Sequence, residues 1–117
     1  MSTHIVSCVA IVCAVANSAV AQDAQQVAPE AYKCVLENER VRVCEISFKP
    51  GTSMGVHSHP DHVVYFTQSG SIQVTDANGK VRELTPPVNQ PLFAPGETHS
   101  ARNVGTTEVK GIVIELK

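Results

Sequence analysis

Apolar and polar side chains alternate along this chain in short stretches, and turn residues interrupt them repeatedly. Val41 to Phe48 alternates and then stops at Lys49-Pro50-Gly51. Val63 to Thr67 is β-branched and aromatic and ends at Gln68-Ser69-Gly70. Ile72 to Thr75 alternates again before Asp76-Ala77-Asn78-Gly79, where Asn-Gly is a strong hairpin signal. Val81 to Leu84 follows, then a proline-marked loop, then Leu92-Phe93-Ala94, and the chain closes on Val109 to Leu116. Short strands with Pro and Gly turns, and no helical period, predict an all-β antiparallel sandwich or barrel. Gln22 to Pro29, polar and alanine-rich, reads as a loose lead-in to it.

The first residues have a different character. Ile5 to Ala21 is small and apolar without a charged side chain, and it closes on Ala19-Val20-Ala21. That small-x-small ending predicts a signal peptide over residues 1–21, cleaved after Ala21, although the segment before the apolar run carries no Lys or Arg. An uncleaved anchor is the alternative, but Ser7, Asn17 and Ser18 leave a short, poor span for a bilayer. Export to a periplasm is therefore expected, with residues 22–117 forming one domain around one core. Formal net charge is −2 and the nine Lys and Arg residues are scattered singly, so a nucleic-acid partner is not expected.

Two of the four cysteines, Cys8 and Cys13, leave with the leader. A hairpin turning about Asn38-Glu39-Arg40 sets Cys34 opposite Cys44. An oxidising compartment permits a disulfide there; the alternative is a pair of half-buried thiols, since one residue of slippage separates them.

Four of the five histidines fall in two places: His57-Ser58-His59-Pro60-Asp61-His62, and His99 after Pro95-Gly96. Side chains two apart on a strand share a face, so His57 and His59 present both rings together. A third imidazole from a distant strand completes a facial set of nitrogen donors for a transition metal. Simple alternation places His62 on the face opposite Val63, as an exposed residue beside a turn. A bulge at Pro60-Asp61 would instead rotate it inward as a fourth ligand. Asp61 reads as a turn residue.

With those residues in view, the chain resembles the cupin superfamily of small jelly-roll barrels. The first cupin motif, G-x5-H-x-H-x3-E-x6-G, is matched in spacing by Gly51, His57, His59, Val63 and Gly70, with Val63 standing where the family has a metal-binding glutamate. Gly96, His99 and Asn103 fit the second motif, while Val88 and Ala94 replace its leading glycine and its proline. The resemblance implies an antiparallel jelly-roll cupin barrel, likened to its relatives also in forming a homodimer. It implies that His57, His59 and His99 hold one divalent transition metal, drawn from Fe, Zn, Ni, Cu or Mn. At the glutamate position Val63 is expected to face inward, with Tyr65 at the same parity as the nearest polar candidate.

Three neutral imidazoles leave a divalent ion its full charge, so it acidifies bound water strongly and attracts anionic co-ligands. Two function classes follow. One is a metal-dependent enzyme, oxygenase- or isomerase-like, acting on a small molecule. The other is a barrel that binds a metal or small ligand without turnover. Against the first, no general base and no cation aimed at a substrate carboxylate stands out in the sequence.

Overall fold

A computed structural model describes residues 22–117; the expected leader, with His4, Cys8 and Cys13, lies outside the described residues. Nine strands follow one short helix: α1 (Ala24–Val27), β1 (Tyr32–Glu37), β2 (Val41–Phe48), β3 (Ser53–His59), β4 (His62–Gln68), β5 (Ile72–Asp76), β6 (Val81–Leu84), β7 (Pro91–Ala94), β8 (Glu97–Asn103) and β9 (Val109–Leu116). They form a five-stranded sheet, β1-β2-β9-β4-β7, and a four-stranded sheet, β3-β8-β5-β6, with every strand pair antiparallel. This is a jelly-roll sandwich, as the alternating pattern predicts.

Alternation decides what fills the space between the sheets. Cys44 and Phe48 of β2, Val64 of β4, Ile72 and Val74 of β5, and Val113 of β9 are buried there. Turn chemistry sets where strands stop: Gly51 and Gly79 take left-handed φ values of 77° and 81°, open to glycine at little cost. Asn103 closes a corner from inside, its amide donating to the carbonyls of Phe48 and Thr107.

The lead-in is not loose. Asp23 bridges to Ser58 of β3, α1 packs beside β1 and β3, and Ala24 is fully buried with Tyr32, Cys44, Val64 and Val113. Alanine-rich sequence without a periodic pattern gives no sign of this, because the docking depends on one small residue and one carboxylate.

The β1–β2 hairpin turns where expected, and Cys34 faces Cys44 across it. The two form a disulfide. Closing so short a loop contributes roughly 2–3 kcal/mol in the chain-entropy estimate. A bulge beyond Cys34 shifts the register, so that Leu36 pairs with Val43.

That shift completes an apolar row across the outer face of the larger sheet. Leu36 pairs with Val43, Val43 with Ile114, Ile114 with Val63, and Val63 with Phe93. Leu36 is 51% exposed and Phe93 64%. Four strand spacings make the row roughly 19 Å wide.

Candidate metal centre

The site is built by register. His57 on β3 pairs directly with His99 on β8, and His59 pairs with Glu97 one inward position further along. A bulge makes this work: two residues, Gly55 and Val56, separate Met54 from His57, while one, Ser100, separates their partners Ala101 and His99. The extra residue, at Gly55-Val56, lets Met54 and His57 both face inward although their spacing is odd.

The three rings meet edge to face. Centroids of His57 and His59 lie 4.7 Å apart, those of His57 and His99 4.7 Å, and those of His59 and His99 5.1 Å. One nitrogen from each lies within 4.8 Å of the others. His57 Nδ1 donates to the Gly55 carbonyl at 2.6 Å, which leaves Nε2 as a bare lone pair, and that atom is buried without a hydrogen-bond partner. A buried orphan of this kind costs stability, and a cation between the rings would satisfy it. The donor set therefore fits a transition ion.

Protonation fits too. Burial pushes His57 below the ordinary histidine range, helped by its neighbour His59. Burial and the facing rings of His57 and His59 take His99 down to about 4, against the pull of Glu97. Both stand neutral near pH 7, as metal ligands must. Glu97 Oε1 lies 3.3 Å from His99 Nδ1 but out of line for a hydrogen bond.

Behind His59 stands a carboxylate that no motif marks. Glu115 of β9 is buried, 3% exposed, and its Oε1 lies 3.4 Å from His59 Nδ1. Tyr32 donates its hydroxyl to Oε1 at 2.9 Å, and Arg42 donates Nε to Oε2 at 2.7 Å. The other edge of the Arg42 guanidinium forks onto Asp23 of the lead-in. Burial alone would raise the Glu115 pKa, but bonds from His59, Arg42 and Tyr32 together hold it down at about 2. Glu115 thus stays ionised and turns His59 so that Nε2 faces its partner rings. The sequence signal that existed was a charge at an inward parity of an apolar strand.

Two expectations about β4 are corrected. Val63 does not face the rings: His62, Val64 and Phe66 line the interior, while Val63 and Tyr65 lie on the outer face. His62 is buried, 6% exposed, rather than a surface residue. Alternation holds, since His62 and Val63 do lie on opposite faces; what fails is the motif's glutamate position as a guide to which face is inward, because β4 enters the other sheet after the turn at Pro60-Asp61. No bulge at that turn is involved. His62 stacks 5.0 Å from His59, donates Nδ1 to the Pro60 carbonyl, and remains outside the three-nitrogen cluster. Asp61 pins the opposite turn by accepting from Gly96 N at 2.7 Å.

A cavity of about 180 Å³ opens between the sheets against the imidazoles. Its walls are largely apolar, with Phe48, Ile72, Val74 and Leu84 among them, and Arg82 and Glu97 add charge. Neither charged residue stood out in the sequence, because each depends on a strand pairing to face inward.

Comparison with solved structures places this architecture. A cupin domain from Bordetella pertussis Tohama I is 30% identical with a TM-score of 0.67, the match covering 74% of this chain and 91% of that one. The chain belongs to the cupin superfamily. A double-stranded β-helix protein from Klebsiella pneumoniae shares 24% identity at a TM-score of 0.58, over 74% of this cupin and 77% of that chain. An RmlC-like cupin from Methanocaldococcus jannaschii shares 14% at 0.57, over 74% and 78%. These last two speak for the fold alone. No protein-family model and no curated protein matches the sequence.

Glu115→Gln tests the carboxylate behind His59. Metal affinity measured by calorimetry is expected to fall about ten- to a hundredfold, in line with losses of this kind of outer partner. Stability should respond to pH as well. A carboxylate whose pKa drops from 4.5 to about 2 on folding stabilises fully above the unfolded value, and that contribution is lost as pH falls towards about 2. Urea unfolding across pH 2–5 should show this acid limb in the parent and a flatter one in Glu115→Gln.

Proposed function

We propose that this cupin is an exported metalloprotein in which His57, His59 and His99 hold one divalent first-row transition ion and present it to a small molecule entering the cavity. The observation that carries the reading is the buried, unpartnered Nε2 of His57 facing two further imidazoles. All-nitrogen ligation suits Zn, Ni, Cu or Fe better than Mg or Ca. The ion would supply Lewis acidity and an activated water or co-ligand. Turnover is favoured over inert binding by Glu97, a carboxylate on the cavity wall placed to take up a proton beside the rings. Calorimetric titration of untagged, metal-free protein checks the ion. Replacing any of the three histidines by Ala is expected to lower affinity by orders of magnitude, and His62→Ala to change it only a few-fold. A parent protein that takes up none of these ions refutes the reading.

Export is supported by the Cys34–Cys44 disulfide, a bond that persists in oxidising compartments. Intact-mass measurement of the periplasmic product is expected to show a chain that begins at Gln22 with both remaining cysteines oxidised. A chain still beginning at Met1 excludes processing after Ala21.

Two copies are proposed to associate through the apolar row on the larger sheet, since contiguous exposed apolar surface marks an interface. Val63 lies in the middle of that row. Val63→Glu is therefore expected to give a monomer by light scattering while metal affinity stays unchanged. A parent that scatters only as a monomer removes the dimer.

A further inference from the structure

Arg82 stands out on the cavity wall. It pairs with Val74 on β5, Val74 pairs with Ala101 on β8, and Ala101 with Met54 on β3. Val74, Ala101 and Met54 are buried, so this whole row faces inward, and Arg82 lies at its exposed end on the edge strand. The guanidinium forms no ion pair among the described residues.

Register gives the span to the metal centre. The His57–His99 row lies two residues along the strands from the Arg82 row, roughly 7 Å, and β6 lies two strands from β8, roughly 10 Å. The backbones of Arg82 and His99 are thus roughly 12 Å apart, and an arginine side chain leaning over the sheet toward the rings would cover roughly half of that. Val74 and Ala101 line the cavity between them, while Asp76, which pairs with His99 on β5, lies outside the lining and accepts through Oδ1 from the backbone N–H groups of Asn78 and Lys80. What remains is the length of a short carbon chain.

Volume and polarity narrow the occupant. A cavity of about 180 Å³ is slightly larger than the roughly 150 Å³ cavity known to hold benzene, so it takes roughly six to eight heavy atoms. Its walls offer few partners for hydroxyl groups, so a polyol would leave polar groups unsatisfied. Glu97 puts negative charge at the imidazole end and Arg82 positive charge at the rim, which orients a monoanion.

We propose that Arg82 anchors the carboxylate of a short-chain monocarboxylic acid whose apolar stem fills the cavity and whose far end meets the imidazoles. This rests on the metal reading above for the far end only; the anchor itself does not need the ion. Arg82 is then a specificity-determining residue, and neutral molecules of the same length are poor ligands.

The test uses butyrate, valerate and neutral butyramide as probes, titrated calorimetrically into the zinc-loaded and the metal-free protein. Zinc titration comes first, with Arg82→Met expected to bind zinc as the parent does, which also shows that the variant is folded. A parent that binds neither zinc nor another first-row ion overturns the metal reading, and the metal-free titrations still decide the anchor. Butyrate or valerate should bind the parent, and Arg82→Met should weaken it about ten- to a hundredfold, as expected for loss of a charge-assisted fork. Arg82→Lys should recover part of the loss, and butyramide should bind no better to the parent than to Arg82→Met. Equal carboxylate affinity in parent and Arg82→Met, butyramide binding as tightly as butyrate, or no carboxylate binding at all overturns the proposal.

Discussion

A carboxylate cannot be buried under a β-sheet unless its charge is answered, and Glu115 is answered from three directions. Arg42 supplies the countercharge, Tyr32 a hydroxyl, and His59 an imidazole N–H. Removing one partner of such a set leaves charge stranded in low dielectric, which costs more than any single bond in it contributes. Each partner lies on a different part of the chain: β1, β2 and β3. Arg42 passes the constraint on to Asp23, which ties down the lead-in. The orientation of a candidate metal ligand is therefore coupled to the docking of the first described residues. Gln25 strengthens the tie by accepting from the backbone N–H of Cys34, beside the disulfide.

How much of this was legible in the sequence depends on the range of the signal. Strands such as Val41–Phe48 and Val81–Leu84 lie where alternation and turn residues put them, because both are local physics. The facing of Cys34 and Cys44 was legible for the same reason, as the turn at Asn38-Glu39-Arg40 sets the register. The grouping of His57, His59 and His99 was legible through motif spacing. The motif's glutamate position misled where the chain changed sheets at Pro60-Asp61, and so Val63 and His62 exchanged faces relative to expectation although their alternation held. Glu97 and Arg82 were hidden because their place at the cavity depends on strands distant in sequence, whereas Glu115 carried a local signal, a charge at the inward parity of β9. The bulge at Gly55-Val56 was hidden as well, since an extra residue in one strand is visible only against its partner.

The absence of a carboxylate among the three facing nitrogens changes how charge is balanced at the centre. An ion there would meet neutral rings, with negative charge one layer out: Glu115 behind His59 and Glu97 beside His99. Charge at one remove leaves coordination positions open while still offsetting part of the field. His62 adds a fourth ring close to His59, yet its Nδ1 is held by Pro60 and it completes an aromatic wall rather than the cluster. The centre is thus open towards the cavity and closed towards Glu115.

Strand β4 shows how one short segment serves two surfaces. His62, Val64 and Phe66 face the cavity, and Val63 and Tyr65 face outward into the apolar row and beside it. Because successive side chains alternate, a substitution at either parity acts on one surface and leaves the other in place. The same holds along β9, where Val113 and Glu115 support the interior while Ile112 and Ile114 lie outside. Site chemistry and surface association are therefore separable by single substitutions, although they are built on the same strands. A bulge or a change of sheet is what converts one set into the other, which is why the bulge of β3 at Gly55-Val56 and the turn after it at Pro60-Asp61 decide which residues become the site.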